Sequence, residues 1–297
     1  MIRIARILCP VDFSETSQHA LDHAAAIAKW YEAALTLLYV FPNLPAMDLP
    51  PLVLEDSDRE RLLVAMRKMM DRVPTRVIPE YRVQEADYIH DGIVAQASAI
   101  RADLLVIGTH GRSGFERLFL GSVTEKVIRK SACHTLVVPP RAPDVEADAP
   151  VAFRKILCPV DFSESSLDAL ALAVNMAEEA DARLTLLHVA EFPRGLSEES
   201  MAFEIDVARI AEDAVNDARR RLHELIPQQA TTYCTVETCI VEGRAHREIV
   251  RYAADCGCDL IVMGVHGRGV LDRMLFGSTT HQVIRSAACP VLIARRG

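Results

Sequence analysis

The chain has 297 residues, half of them hydrophobic, and a formal net charge of −8. That length suggests two domains of roughly 150 residues, each able to bury a core. Neither half is basic, which argues against nucleic acid as a partner. No apolar run approaches the roughly 18 residues that cross a bilayer, and Met1-Ile-Arg-Ile-Ala runs straight into a strand pattern without a secretory leader. A cytoplasmic protein with eight free thiols is therefore expected.

An internal repeat sets the order of elements. Ile7-Leu-Cys-Pro-Val-Asp-Phe-Ser-Glu-Thr-Ser17 returns as Ile156-Leu-Cys-Pro-Val-Asp-Phe-Ser-Glu-Ser-Ser166, ten of eleven positions being identical. The first strand is predicted over Ile4–Val11 and Lys155–Val160, running to Asp12 or Asp161. A helix follows over about Ser17–Ala33 and Ser166–Ala180, with Ser14 and Ser163 placed for turn or cap chemistry. Ala20, Leu21, Ala24, Ile27 and Ala28 form its apolar stripe.

The second strand, Leu35–Val40 and Leu184–Val189, keeps the repeat offset of 149. Four prolines between Phe41 and Pro51 forbid regular structure there, so a loop or flap is predicted. Its counterpart, Glu191–Glu199, is acidic and poorer in proline. Second helices are predicted over Glu55–Arg72 and, longer, Glu198–Leu225. Third strands follow over Thr75–Val83 and Thr232–Ile240, and third helices over Asp91–Ile100 and Ala245–Cys256.

A fourth apolar strand then leads, in each copy, into one glycine-rich stretch: Gly108-Thr-His110-Gly111-Arg112 through Gly121-Ser122, and Gly264-Val-His266-Gly267-Arg268 through Gly277-Ser278. Both read G-x-x-G, nine residues, G-S. The repeat offset here is 156, so the second copy has gained seven residues, around its second helix. A helix (Ser122–Ser131, Ser278–Ala287) and a last strand (Thr135–Val138, Val291–Ala294) complete each copy. Alternating strands and helices call for two tandem α/β domains, each an open parallel five-stranded sheet with helices on both faces. Domains are expected over residues 1–140 and 153–297, joined by a Pro-, Ala- and acid-rich linker, 141–152.

Glycine serves where a backbone takes positive φ or comes close to a ligand. A helix N-terminus offers free N–H groups and a positive dipole end to phosphate, and open α/β sheets bind ligands at the carboxyl ends of their strands. The duplicated strand–loop–helix unit therefore points to a phosphate-bearing ligand, read as a nucleotide. Gly121, Ser122, Val123 and Thr124, with Gly277, Ser278, Thr279 and Thr280, would hold its phosphates. Asp12 and Asp161 are either acceptors for a ribose hydroxyl or adenine amine, or helix caps. Arg112 and Arg268 either add charge at a phosphate or are solvated; His110 and His266 are read as orienting the loop rather than catalysing.

On these motifs the chain resembles the universal stress protein family in its ATP-binding subgroup, as two tandem domains with a Rossmann-like fold. The resemblance implies ATP, ADP or AMP as ligand, with or without magnesium. It adds Pro10, Val11, Pro159 and Val160 to the site, and the backbone of Val40 and Val189 facing the adenine. It also implies pairing through the last strands, and a homodimer of tandem chains. The family pattern has a glycine close to the adenosine at the turn before the third helix. The second copy supplies Gly243; counting back from the glycine loop, the first has Asp87, so the second site is expected to bind better.

No G-x-x-x-x-G-K-[ST] lysine is present, and no paired carboxylates stand near the loops. Hydrolysis is accordingly expected to be slow or absent. A nucleotide-gated regulator of the stress response is the reading, with a slow ATPase or a scaffold with vestigial sites as alternatives. Cys256-Gly-Cys258 is too tightly spaced for the usual zinc pair; a redox role for these two thiols stays open.

Overall fold

The computed structural model describes residues 4–43, 54–109, 120–145, 153–191, 204–226, 234–265 and 277–296. Among them, the first half runs β1 (Arg6–Pro10), α1 (Glu15–Trp30), β2 (Ala34–Pro42), α2 (Asp56–Met70), β3 (Glu80–Ala86), α3 (Ile89–Ala99), β4 (Leu104–Gly108), α4 (Ser122–Lys130) and β5 (His134–Val138). The second repeats it as β6 (Lys155–Pro159), α5 (Glu164–Ala180), β7 (Arg183–Ala190), α6 (Glu204–Glu224), β8 (Thr235–Glu242), α7 (Ala245–Asp255), β9 (Leu260–Gly264), α8 (Ser278–Ser286) and β10 (Val291–Ala294).

Each half is parallel throughout, in the order β3-β2-β1-β4-β5 and its repeat β8-β7-β6-β9-β10. The two expected sheets join into one sheet of ten strands. β5 and β10 pair antiparallel, with Leu136 opposite Leu292 and Val137 opposite Val291. Strands buried on both faces read as unbroken apolar runs, and all of Leu104–Gly108 and of Leu260–Gly264 is buried. The strand period of two then sorts neighbours into two cores. Ile7, Cys9, Leu104, Val106, Leu136 and Leu292 belong to one, and Leu8, Leu105, Ile107, Val137, Val291 and Ile293 to the other. Both cores run through the central antiparallel pair. Arg295 crosses it as well, donating to the Ile128 carbonyl and to the Arg129 carbonyl at 3.1 Å, where a helix end favours a cation.

Several element bounds differ from expectation for local reasons. α1 and α5 start at Glu15 and Glu164, earlier than predicted. Ser14 and Ser163 are their N-caps, accepting from the Ser17 and Ser166 N–H groups at 3.1 and 3.2 Å. β3 begins only at Glu80, after two prolines that carry no N–H for a ladder. Residues 198–203, predicted as the start of α6, lie outside the described residues, as does most of the proline-rich stretch after Phe41.

Both third helices end in the same motif. After α3, the Arg101 N–H bonds the Ser98 carbonyl at 3.0 Å and the Ala102 N–H the Ala97 carbonyl at 2.8 Å. That is a Schellman closure, which needs a left-handed residue. Arg101 takes it at φ +50°, where the second half has Gly257 at φ +62°. A side chain in this region costs on the order of 1–2 kcal/mol. Arg101→Gly is therefore expected to raise stability by about 1 kcal/mol, and Gly257→Ala to lower it by a similar amount, measured as urea midpoints at unchanged slope.

Candidate functional site

The candidate residues meet where strand ends and helix starts converge. In the second half, the carboxyl ends of β6, β7 and β9 open into a cleft of about 660 Å³. Pro159, Val160 and Asp161 form its floor beside Val189, and Gly264, Gly277, Ser278, Thr279 and Thr280 form its far end. Helix α8 begins there with Gly277 as N-cap, and its first intrahelical bond runs from the His281 N–H to the Gly277 carbonyl at 2.9 Å. The amides of Ser278, Thr279 and Thr280 precede that bond, as the unmatched donors of a helix N-terminus. The matching first turn of α4 starts at Gly121, with Ser122, Val123 and Thr124.

The glycine stretch is fastened at both ends. The Gly277 N–H donates to the Val265 carbonyl at 3.0 Å and the Thr280 hydroxyl to the Gly264 carbonyl at 3.0 Å. The first half repeats this with Gly121 to Thr109 at 2.8 Å and Thr124 to Gly108 at 2.8 Å. The buried threonine hydroxyls expected to hold phosphate thus have their protons committed to the strand end. Gly264 and Gly108 meet helices rather than open space. A Cβ on Gly264 would lie 2.5 Å from the Ser165 carbonyl oxygen in α5, and one on Gly108 would lie 2.7 Å from Cγ2 of Thr16 in α1. His110, Gly111, Arg112, His266, Gly267 and Arg268 lie outside the described residues.

Asp161 takes up its cap position in full. Its Oδ1 accepts from the Ser163 N–H at 3.0 Å and the Ser163 hydroxyl at 2.6 Å. Asp12 does the same with Ser14 at 3.1 and 2.5 Å. A ribose or amine contact is compatible with this only through the second carboxylate oxygen.

The turn before the third helix answers to two counts. Along the ladders, Phe41 faces Glu85 and Ala190 faces Glu242, so Gly243 follows the strand where Ala86 does. Counted from the helix starts, Ile89 and Ala245, Gly243 matches Asp87. The first half has one more residue between ladder and helix. Gly243 is not among the residues lining the cleft. Its φ of +148° and the Glu248 side chain, 2.7 Å from a would-be Cβ, account for glycine there. Gly92, at the helix position of Glu248, lets α3 settle 2.7 Å from Val40 Cγ1 by the same measure. Val40 is buried, whereas Val189 borders the cleft.

One wall was not read from the sequence. Ala214, Asp217, Ala218 and Arg221, spaced as one helical face of α6, line the cleft. The Arg221 guanidinium lies over the Phe162 ring at 3.9 Å, and Phe162 in turn packs on His188 at 4.9 Å. His188 Nδ1 stands 2.7 Å from the Val160 carbonyl, which can only accept, so that nitrogen carries a proton. Phe162 and its counterpart Phe13 both hold left-handed backbone, φ +63° and +66°. The signal available was the repeated Asp-Phe-Ser run and the seven added residues near α6; the spacing alone did not say that α6 faces the strand ends. Among the described residues no group of three or more His, Cys, Asp or Glu side chains could hold a metal ion, and no helix is long and apolar enough to cross a membrane.

Comparison with known proteins matches this architecture. The model of the universal stress protein family fits the chain twice, over residues 3–139 and 152–295. A universal stress protein of Methanocaldococcus jannaschii is 32% identical over 146 residues, covering 48% of this chain and 83% of its own. One from Mycobacterium tuberculosis is 27% identical over 321 residues, covering 97% of this chain and 96% of its own. The crystal structure of a universal stress protein from Archaeoglobus fulgidus superposes with a TM-score of 0.64 at 21% identity, covering 98% of both chains.

Proposed function

The chain belongs to the universal stress protein family, and from that premise we propose that it binds an adenine nucleotide (ATP, ADP or AMP) in the cleft of its second half. The observation that carries this reading is the first turn of α8, aimed into a cleft at the carboxyl ends of parallel strands, the place where open α/β sheets take phosphate-bearing ligands. Residues of the second copy that the sequence singled out, from Pro159–Asp161 through Val189 to Gly264 and Gly277–Thr280, supply its floor and end wall. Magnesium, where it takes part, would be held largely by the phosphates, as its preference for water and phosphate oxygens allows. Hydrolysis is slow or absent. The protein acts as a nucleotide-gated regulator in the cytoplasm, working as a homodimer of tandem chains. The two sites are unequal, since Val40 is covered by α3 while Val189 opens onto the cleft.

A second reading has its own support. Gly264, Thr280 and Asp161 all have packing or capping duties that would keep them in place without a ligand. On that reading the sites are vestigial and the tandem sheet is an interaction scaffold. One experiment separates the two. The purified protein is denatured, its supernatant chromatographed, and the stripped protein titrated with ATP by calorimetry beside Gly277→Val and Gly121→Val. Gly277 has a φ of −60°, which valine also adopts, so the variant should fold. Released adenine nucleotide, with binding lost chiefly in Gly277→Val, is the expected result. A folded parent that neither releases nucleotide nor gives heat with ATP would leave only the scaffold.

A further inference from the structure

Helix α7 ends on two cysteines that neither the cleft nor the repeat requires. Its closure is a Schellman motif: the Gly257 N–H donates to Ala254 at 3.2 Å and the Cys258 N–H to Ala253 at 2.8 Å, with Gly257 left-handed. The first half makes the same closure with Ile100, Arg101 and Ala102 in these places, so the turn itself has no use for sulfur. In the second half, thiols flank the left-handed residue on both sides. Two steps of helical geometry, of either hand, put such Cα atoms about 5.4 Å apart. That falls within the roughly 4.4–6.8 Å span of disulfides.

The surroundings suit thiol chemistry. Cys256 is exposed and Cys258 half-buried. The Lys155 ammonium, from the start of β6, donates to the Cys256 carbonyl at 3.3 Å and lies 3.8 Å from where a Gly257 Cβ would stand. The Tyr252 hydroxyl, one turn back, lies beside the thiols of Cys256 and Cys239.

We propose that Cys256 and Cys258 are a thiol modification site, which two-electron oxidants of the peroxide or disulfide class convert reversibly into an intramolecular disulfide. With hydrogen peroxide, the Cys256 thiolate attacks one oxygen, the O–O bond breaks, and the departing hydroxide takes up a proton as water, leaving a sulfenic acid. The Cys258 sulfur, giving up its proton, then attacks the Cys256 sulfur. The S–O bond breaks and a second water leaves. The two thiols lose two electrons and two protons, and peroxide is reduced to two waters. Burial, then the neighbouring Cys256 and Asp259, push the Cys258 thiol up to about 11, against the pull of Lys155. Cys256, the exposed thiol, is the attacking one, and the half-buried Cys258 the resolving one. An exposed disulfide of this kind is readily reduced again.

The test uses the full chain. Trypsin leaves both cysteines on one peptide, Tyr252–Arg268, with Cys239 and Cys289 elsewhere. After hydrogen peroxide or oxidised glutathione and blocking with N-ethylmaleimide, that peptide should appear two hydrogens lighter and unblocked, and dithiothreitol should restore two blockable thiols. In Cys258→Ser, Cys256 should instead be trapped by dimedone as its sulfenic acid. Two alkylated thiols after oxidation, or a bond from Cys258 to Cys289 or from Cys256 to Cys239, would overturn the assignment.

Discussion

Gly264→Ala is expected to destabilise the protein by about 3 kcal/mol or more, the upper end of the usual cost of overpacking. The new methyl would lie 2.5 Å from the Ser165 carbonyl oxygen, 2.6 Å from its carbon and closer still to its hydroxyl. Backbone cannot swing aside as a side chain does, so α5 would have to lift from β9. In the first half, the first atom met is the Thr16 methyl at 2.7 Å, with backbone oxygen at 3.1 Å. Thr16 can yield by rotation, so Gly108→Ala is expected to cost about 1 kcal/mol, at the lower end of the same range. Urea titrations of the two variants check the ranking. Equal costs would mean that the close contact at Ser165 relaxes freely. The first glycine of the repeated signature is thus fixed by the passage of a helix across a strand end, whatever the site binds. Ligand experiments should therefore be made at Gly277, whose φ of −60° other residues also adopt.

The repeat made much of this fold legible. Apolar runs such as Leu104–Gly108 are unbroken because parallel strands are covered on both faces, and Ser14 and Ser163 marked their helix starts because a cap hydroxyl is a local feature. The joining of two sheets through β5 and β10 came from family resemblance, since no residue pattern reveals which strand edge meets which. Local signals failed where two elements answer to different neighbours. Gly243 pairs with Ala86 in ladder register and with Asp87 in helix register, so no count from one end places it. They also failed for the stack of Arg221, Phe162 and His188. Its members are far apart in sequence, and Phe162 takes a left-handed backbone that composition would assign to glycine.

Asp161→Asn is expected to leave stability within about 0.5 kcal/mol of the parent, as substitutions that keep an interaction usually do, while weakening nucleotide binding. The amide oxygen of asparagine can still accept from the Ser163 N–H and hydroxyl, as Asp161 Oδ1 does at 3.0 and 2.6 Å. Once that oxygen faces the cap, the other arm of the side chain is an NH₂, a donor only. A ribose hydroxyl or adenine amine that donated to the carboxylate would meet a donor instead. Losing a hydrogen bond to a charged group costs about 1.5–3 kcal/mol, or roughly 10- to 150-fold in affinity. Asp12→Asn provides the control: the same cap, with Ser14 at 3.1 and 2.5 Å, in the half where Val40 is buried beneath α3. A large loss of ATP affinity in Asp161→Asn, a small one in Asp12→Asn and unchanged urea midpoints in both would assign Asp161 a ligand role beyond its cap. Unchanged affinity in both would leave these carboxylates as helix caps and move the search for the base- or sugar-reading group to the Arg221 wall.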